Sequence, residues 1–208
     1  MGCGSGRYGP RLFSWSDERI DSYTGADIHA HDAWDALQHQ DRRLRFIEAD
    51  ASDAKHTIPS GTNFILSQSA IEHIDADLDF FEHIRDYARD LGTSVLQVHL
   101  LPSPACLRLY LLHGVRQYTP RTISKITRLF DNGYALLYRL GGRACNQLHY
   151  RFITAPLILW RRGDFRVTRA AEYERHAIAA IERDMRQPQN SPAFYGLVIH
   201  THPRKRLF

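Results

Sequence analysis

Met1-Gly2-Cys3-Gly4-Ser5-Gly6-Arg7-Tyr8-Gly9 opens the chain, and the reading of this stretch decides the fold. Glycine lacks a Cβ, enters positive φ at little cost and lets backbone N–H groups approach a ligand closely at a helix start. A loop of this kind normally follows a buried strand, and here only Met1 stands before it. The opening therefore predicts a ligand-cradling turn whose preceding strand is missing.

Outward from this loop, strand-like apolar runs alternate with helical patterns. That arrangement predicts an α/β fold, a doubly wound and mostly parallel sheet with helices on both faces. Strands are expected over 23–28, 44–49, 63–67, 94–100, 134–140 and 150–160, with a late strand over 194–199. Between the third and fourth strands, Leu78, Phe81, Ile84, Ala88 and Leu91 recur at helical spacing, acids crowd the start, and Gly92 stands at the C-cap position. Thr119-Pro120 reads as an N-cap followed by proline at the first helical position. After the turn signal Arg161-Arg162-Gly163-Asp164, a long charged helix is expected with Ala171, Glu174, Ile178, Ile181 and Met185 on one face. No internal repeat or linker divides the chain. It reads as one domain over 1–208, with a core over 1–160 and a helix-and-strand extension over 161–208.

Composition narrows the function. With 208 residues, 43% hydrophobic and 24% charged, the chain is long enough to bury a core and is not a disordered segment. The net charge is +4, and its densest cluster, Arg204-Lys205-Arg206, reads as a solvated tail. No stripe of Lys and Arg with interleaved aromatics appears, which points to a small-molecule substrate and away from nucleic acid. No apolar run is long enough for a membrane helix, and the start is not a signal peptide. Cys3, Cys106 and Cys145 are an odd count without metal spacing, which fits a reduced, cytoplasmic setting.

Four features line up at strand ends, where ligands bind in doubly wound sheets. The first is the glycine loop. The second is Asp27, 21 residues after Gly6, where an acid typically accepts from ribose hydroxyls. The third is Asp50, ending the next strand in Ala49-Asp50-Ala51, placed to accept from an adenine amino group. The fourth is Phe64-Ile65-Leu66-Ser67-Gln68-Ser69-Ala70-Ile71-Glu72-His73-Ile74, a buried strand running into a polar loop.

In this order and spacing, Gly2-Cys3-Gly4-Ser5-Gly6, Gly25-Ala26-Asp27, Ala49-Asp50-Ala51 and Glu72-His73-Ile74 resemble the successive motifs of class I S-adenosylmethionine-dependent methyltransferases. The resemblance extends weakly through His113–Pro120 and the Gly133-Tyr134 turn, about three quarters of the chain. It implies that Gly2, Gly4 and Gly6 admit the methionine part of S-adenosylmethionine, that Asp27 binds the ribose, and that Asp50 with Ala51 binds the adenine. Ser67 and Gln68 would then border the sulfonium and the substrate. The implied reaction is in-line methyl transfer to a small molecule or sugar-type acceptor.

Two departures stand out. The family has a hydrophobic strand ending in an acid before the glycines, where this chain has only Met1, and often an acid entering the fourth strand, where this chain has Asn63. The expectation is an N-terminally incomplete sequence. The alternative is a degenerate, non-catalytic relative. Other motifs compete with this reading. Gly4-Ser5-Gly6-Arg7-Tyr8-Gly9 also fits the G-x-G-x-x-G dinucleotide fingerprint of NAD-binding proteins. His29 and His31 form an H-x-H pair of the kind metal-dependent amidohydrolases use, with His99, His200 and His202 as loose partners. His73 is the candidate general base for an oxygen nucleophile, and it equally suits a role capping or packing the next helix. His113, Arg116 and Tyr118 lie where the family often covers its substrate.

Overall fold

A computed structural model describes residues 1–106, 118–187 and 191–202. The sheet comes in two pieces. Strands β1 (Tyr23–Asp27) and β2 (Leu44–Glu48) form a parallel pair, and β3 (Phe64–Gln68), β4 (Val95–Pro102), β5 (Gly133–Leu140) and β6 (Phe194–Thr201) form a four-stranded sheet in the order β3-β4-β6-β5. β3 and β4 are parallel, whereas β6 runs antiparallel to both β4 and β5. The expected mostly parallel α/β arrangement holds for the first four strands, and an antiparallel pair completes the sheet.

Between the two pieces, residues of β1 and β3 line a common cavity of about 320 Å³. The first residues of the chain span the seam. The Met1 amino group donates to the Leu66 carbonyl at 3.0 Å, and Cys3 N–H donates to the Ala26 carbonyl at 3.1 Å.

Each piece has its own core. Around β1 and β2, helices α1 (Tyr8–Trp15) and α2 (Ala33–Gln40) contribute Phe13 and Trp34 to a cluster with Leu44 and Phe46. Around the larger sheet, α3 (Ala54–Thr57), α4 (Asp77–Leu91) and α5 (Pro120–Thr127) pack Phe80, Phe81, Ile84, Ile123 and Ile126 onto Val95, Leu101, Leu197 and Ile199. The alternation of β4 drives this packing, since Val95, Gln97, His99 and Leu101 all point to one buried face.

The predicted helix boundaries follow from local chemistry. Gly92 ends α4 at φ 69°, the left-handed C-cap that glycine adopts most cheaply. The Thr119 hydroxyl accepts from Thr122 N–H at 3.2 Å, and Pro120 begins α5.

The expected strand over 150–160 is not one. Helix α6 (Arg143–His149) continues directly into π-type helical turns over Tyr150–Leu159. The run is apolar without alternation, and such a pattern suits a buried helix as well as a strand; its length favours the helix. After the short helix α7 (Phe165–Thr168), the long helix α8 (Ala170–Met185) forms as expected. Its apolar stripe faces outward, with Ile178, Ile181 and Met185 exposed, whereas Ala180 and Asp184 are buried. Asp184 accepts backbone N–H bonds from Ala144 and Cys145 at 3.0 and 2.8 Å, fixing the start of α6 against α8. Among the described residues, no helix is long and apolar enough to cross a membrane.

Candidate active site at the sheet seam

A cavity of about 490 Å³ opens at the carboxyl ends of β3 and β4, with Tyr23 at the start of β1 on its wall and Asp27 outside it. The glycine loop forms one wall, Gln68, Ser69 and Glu72 form another, and Pro102, Arg166 and Phe194 close it from the far side. In doubly wound sheets, ligands bind at this end.

The loop is built upward from two aromatic side chains. Gly2, Gly4 and Gly6 all take positive φ, at 64°, 49° and 77°. The Phe46 ring lies directly beneath Gly6, where any Cβ would overlap it. Trp34 stacks on the same ring at 5.4 Å between centroids, and its indole N–H donates to the Gly4 carbonyl at 2.8 Å. Asp27, at the end of β1, accepts from Gly4 N–H at 2.7 Å. The loop is thus held from below and from the side, and the space beside Gly4 is open: a Cβ there would have nothing within 4 Å. Neither Trp34 nor Phe46 figures among the sequence-predicted site residues. The signal available in the sequence was their proximity in the chain to Asp27 and Asp50.

The other predicted residues distribute unevenly. Gly2, Gly4 and Gln68 line the cavity, and the Gln68 Oε1 atom is buried without a hydrogen-bond partner. Gly6 is buried under the loop, on the Phe46 ring. Asp50 and Ala51 stand at the end of β2, where the Asp50 carboxylate accepts from Ser52 N–H at 2.8 Å and caps the short helical turn that Ala51 begins. They do not line this cavity.

Ser67 points away from it. Its hydroxyl is buried in the core, 2.8 Å from His99 Nδ1, and His99 Nε2 lies 3.2 Å from Gln97 Oε1. Burial pushes His99 down to about 3, so the imidazole is neutral and the chain runs from the Ser67 O–H to Nδ1 and from Nε2–H to Gln97. The physical reason is strand alternation: Gln68 faces the cavity, so its neighbour Ser67 faces the core.

His73 is exposed on the turn Ile71–His73 and is not part of the cavity wall, whereas its neighbour Glu72 is. Sequence reasoning did not single out Glu72. Its side chain is fully buried, neither carboxylate oxygen has a hydrogen-bond partner, and burial pushes it up to about 7. Ser69, between Gln68 and Glu72, holds a left-handed φ of 46°, an uncommon conformation for a residue with a side chain.

The H-x-H pair gains no further ligands: His29 and His31 are exposed, His99 is occupied in the core, and His200 stacks on Tyr134 at 5.2 Å. Among the described residues, no group of three metal-ligating side chains converges. Tyr118 is buried, with its hydroxyl donating to Asp77 at 2.8 Å; His113 and Arg116 lie outside the described residues.

No protein-family model and no curated protein matches the sequence. Solved structures do match by shape. A SAM-dependent methyltransferase from Archaeoglobus fulgidus superposes with a TM-score of 0.56 at 15% identity, over 96% of this chain and 83% of that one. The plantazolicin methyltransferase BamL, in complex with a triazolic desmethylPZN analog and SAH, gives 0.54 at 12% identity, over 96% and 74%. The [4+2]-cyclase SpnF gives 0.54 at 13% identity, over 97% and 73%. At these identities the likeness speaks for architecture alone, and it agrees with the α/β order. The chain has the fold of the class I S-adenosylmethionine-dependent methyltransferases.

Proposed function

We propose that the protein binds S-adenosylmethionine and transfers its methyl group to a small-molecule acceptor. The observation that carries this reading is the cavity of about 490 Å³, with the open space beside Gly4 on one wall and the partnerless Gln68 Oε1 on another. A glycine cradle with room for a ligand and an unused buried acceptor across from it are what such a cofactor requires. When bound, the cofactor supplies an electrophilic methyl group on a sulfonium.

The chain's residues would then divide the work. Gly2 and Gly4 give the methionyl end close access to the backbone while Gly6 turns the loop over Phe46, Asp27 accepts from the ribose, and Asp50 with Ala51 borders the adenine. Gln68 faces the sulfonium side. Pro102 and Phe194 exclude water, and holding two reactants in line in a dry site supplies most of the acceleration such a transfer needs. Cys3, Cys106 and Cys145 are all free thiols, which supports a reduced, cytoplasmic setting.

Because the same fold also carries a cyclase, cofactor binding and methyl transfer are separate questions. Calorimetric titration of the full chain with S-adenosylhomocysteine, with circular dichroism to establish folding, tests the first. Saturable micromolar binding is the expected result. A folded chain that ignores the ligand overturns the reading.

A further inference from the structure

Glu72 is a buried charge that the fold itself does not use. It sits on the turn after β3, fully buried, with both carboxylate oxygens unpartnered, and it lines the cavity together with Gln68, whose Oε1 is also unpartnered. Folding normally removes such groups or pairs them, because an unpaired buried carboxylate is costly. Two buried acceptors on one cavity wall are complementary to a ligand that brings donors. In the glycine loop on the same cavity, by contrast, the Cys3 and Gly4 amides are already bonded to the Ala26 carbonyl and the Asp27 carboxylate.

Resting on the methyl-transfer reading above, we propose that Glu72 receives the proton of the methyl acceptor, a small molecule that presents a hydroxyl or amine to Glu72 and Gln68. In the step, a lone pair on the acceptor oxygen or nitrogen forms the new bond to the methyl carbon. The carbon–sulfur bond breaks with its electron pair going to sulfur, which leaves as a neutral thioether. The acceptor's proton passes to the Glu72 carboxylate and from there to water.

The geometry selects Glu72 over His73, which is exposed outside the cavity. A carboxyl pushed up to about 7 is also basic enough for the task at neutral pH, yet still ionised in part. The charged and titratable groups that face the same cavity are the Met1 amino group, Cys3, Arg7, Tyr8, Arg11, Tyr23 and Arg166, the last ion-paired with Asp164; Cys106 stands close to Glu72 from β4's far end.

The test uses the full chain labelled with ¹³C at glutamate carboxyls, saturated with S-adenosylhomocysteine, with phenol and benzylamine as probe acceptors. Glu72→Gln identifies the signal. The expected result is a Glu72 resonance that titrates near 7 and moves on addition of a probe. Glu72→Gln should weaken binding of that probe about tenfold while S-adenosylhomocysteine affinity stays within about twofold, and Glu72→Asp should restore part of the loss. Removing a partnerless charge does not threaten folding, and circular dichroism confirms it. A Glu72 signal indifferent to both probes, in a chain that binds S-adenosylhomocysteine, overturns the proton role alone. A wild-type chain that does not bind S-adenosylhomocysteine overturns the methyl-transfer reading and the proton role with it.

Discussion

The two halves of the sheet solve different problems. The β1–β2 half is built from residues 1–48, neighbours in sequence, and its small core of Phe13, Trp34, Leu44 and Phe46 lies directly under the glycine loop. The four-stranded half draws its core from residues between Ala54 and Ile199, and its cavity wall collects Gln68, Glu72, Pro102, Arg166 and Phe194 from four separate segments. The first half positions a loop with local parts. The second assembles a chemical wall from distant ones. A site on the seam therefore has one side that short-range packing fixes and one that only the whole fold brings together.

The sharpest way to break this comparison is Phe46→Ala. It removes the ring that supports Gly6 and stacks with Trp34, at a cost of about 3–5 kcal/mol for a buried aromatic. Native-state hydrogen exchange should show β1 and β2 losing protection while β3, β4 and β6 keep theirs, and affinity for S-adenosylhomocysteine should collapse. A uniform loss of protection across both sheets would show that the halves fold as one unit.

Glu72→Gln tests the other half and should act in the opposite direction. The folded protein holds Glu72 at about 7 against an ordinary 4.5, so ionising it destabilises the native state. Wild-type stability from this source is complete below the ordinary value and is lost as pH rises through 7. Denaturant melts should thus find the variant more stable by about 3 kcal/mol at pH 8 and no such gain at pH 4, a rise from 4.5 to about 7 being worth roughly that much. Equal stabilities at pH 8 would mean that the carboxylate finds a partner in solution.

Asp27→Ala returns to the loop. It deletes the charged acceptor of Gly4 N–H, worth about 2 kcal/mol, and S-adenosylhomocysteine affinity should fall by at least about tenfold in the same calorimetric assay. Unchanged affinity would separate Asp27 from the cofactor and leave it as a strut.

The smallest effect is expected of Trp34→Phe, which keeps an aromatic ring against Phe46 and loses only the indole N–H bond to the Gly4 carbonyl. Thermal and denaturant unfolding should register about 1 kcal/mol. A much larger loss would mean that the loop depends on this one bond more than on the ring stack.

Local features were legible in the sequence wherever the physics is local. Gly92 and Thr119-Pro120 marked helix ends because capping is decided within a turn. The glycine loop and Asp27 were legible because they lie within one loop–helix–strand span, and the structure joins them by a direct hydrogen bond. The run at 150–160 misled because continuous apolarity does not distinguish strand from buried helix. On α8, Ile178, Ile181 and Met185 share one face as expected, but that face is exposed, and what is buried is Ala180 and Asp184, whose carboxylate caps α6.

The sequence by itself determined the alternation of strands and helices, the left-handed glycine turn and the acid that clamps it, because each depends on φ preferences, periodicity and neighbours a few residues apart. Tertiary structure alone decided which of two adjacent side chains serves the site. Ser67 turns into the core and Gln68 into the cavity; His73 stays in solvent and Glu72 is buried without a partner. That choice depends on strand register and on which surfaces β4, β6 and α7 bring to the seam, and these long-range pairings leave no local mark on the chain.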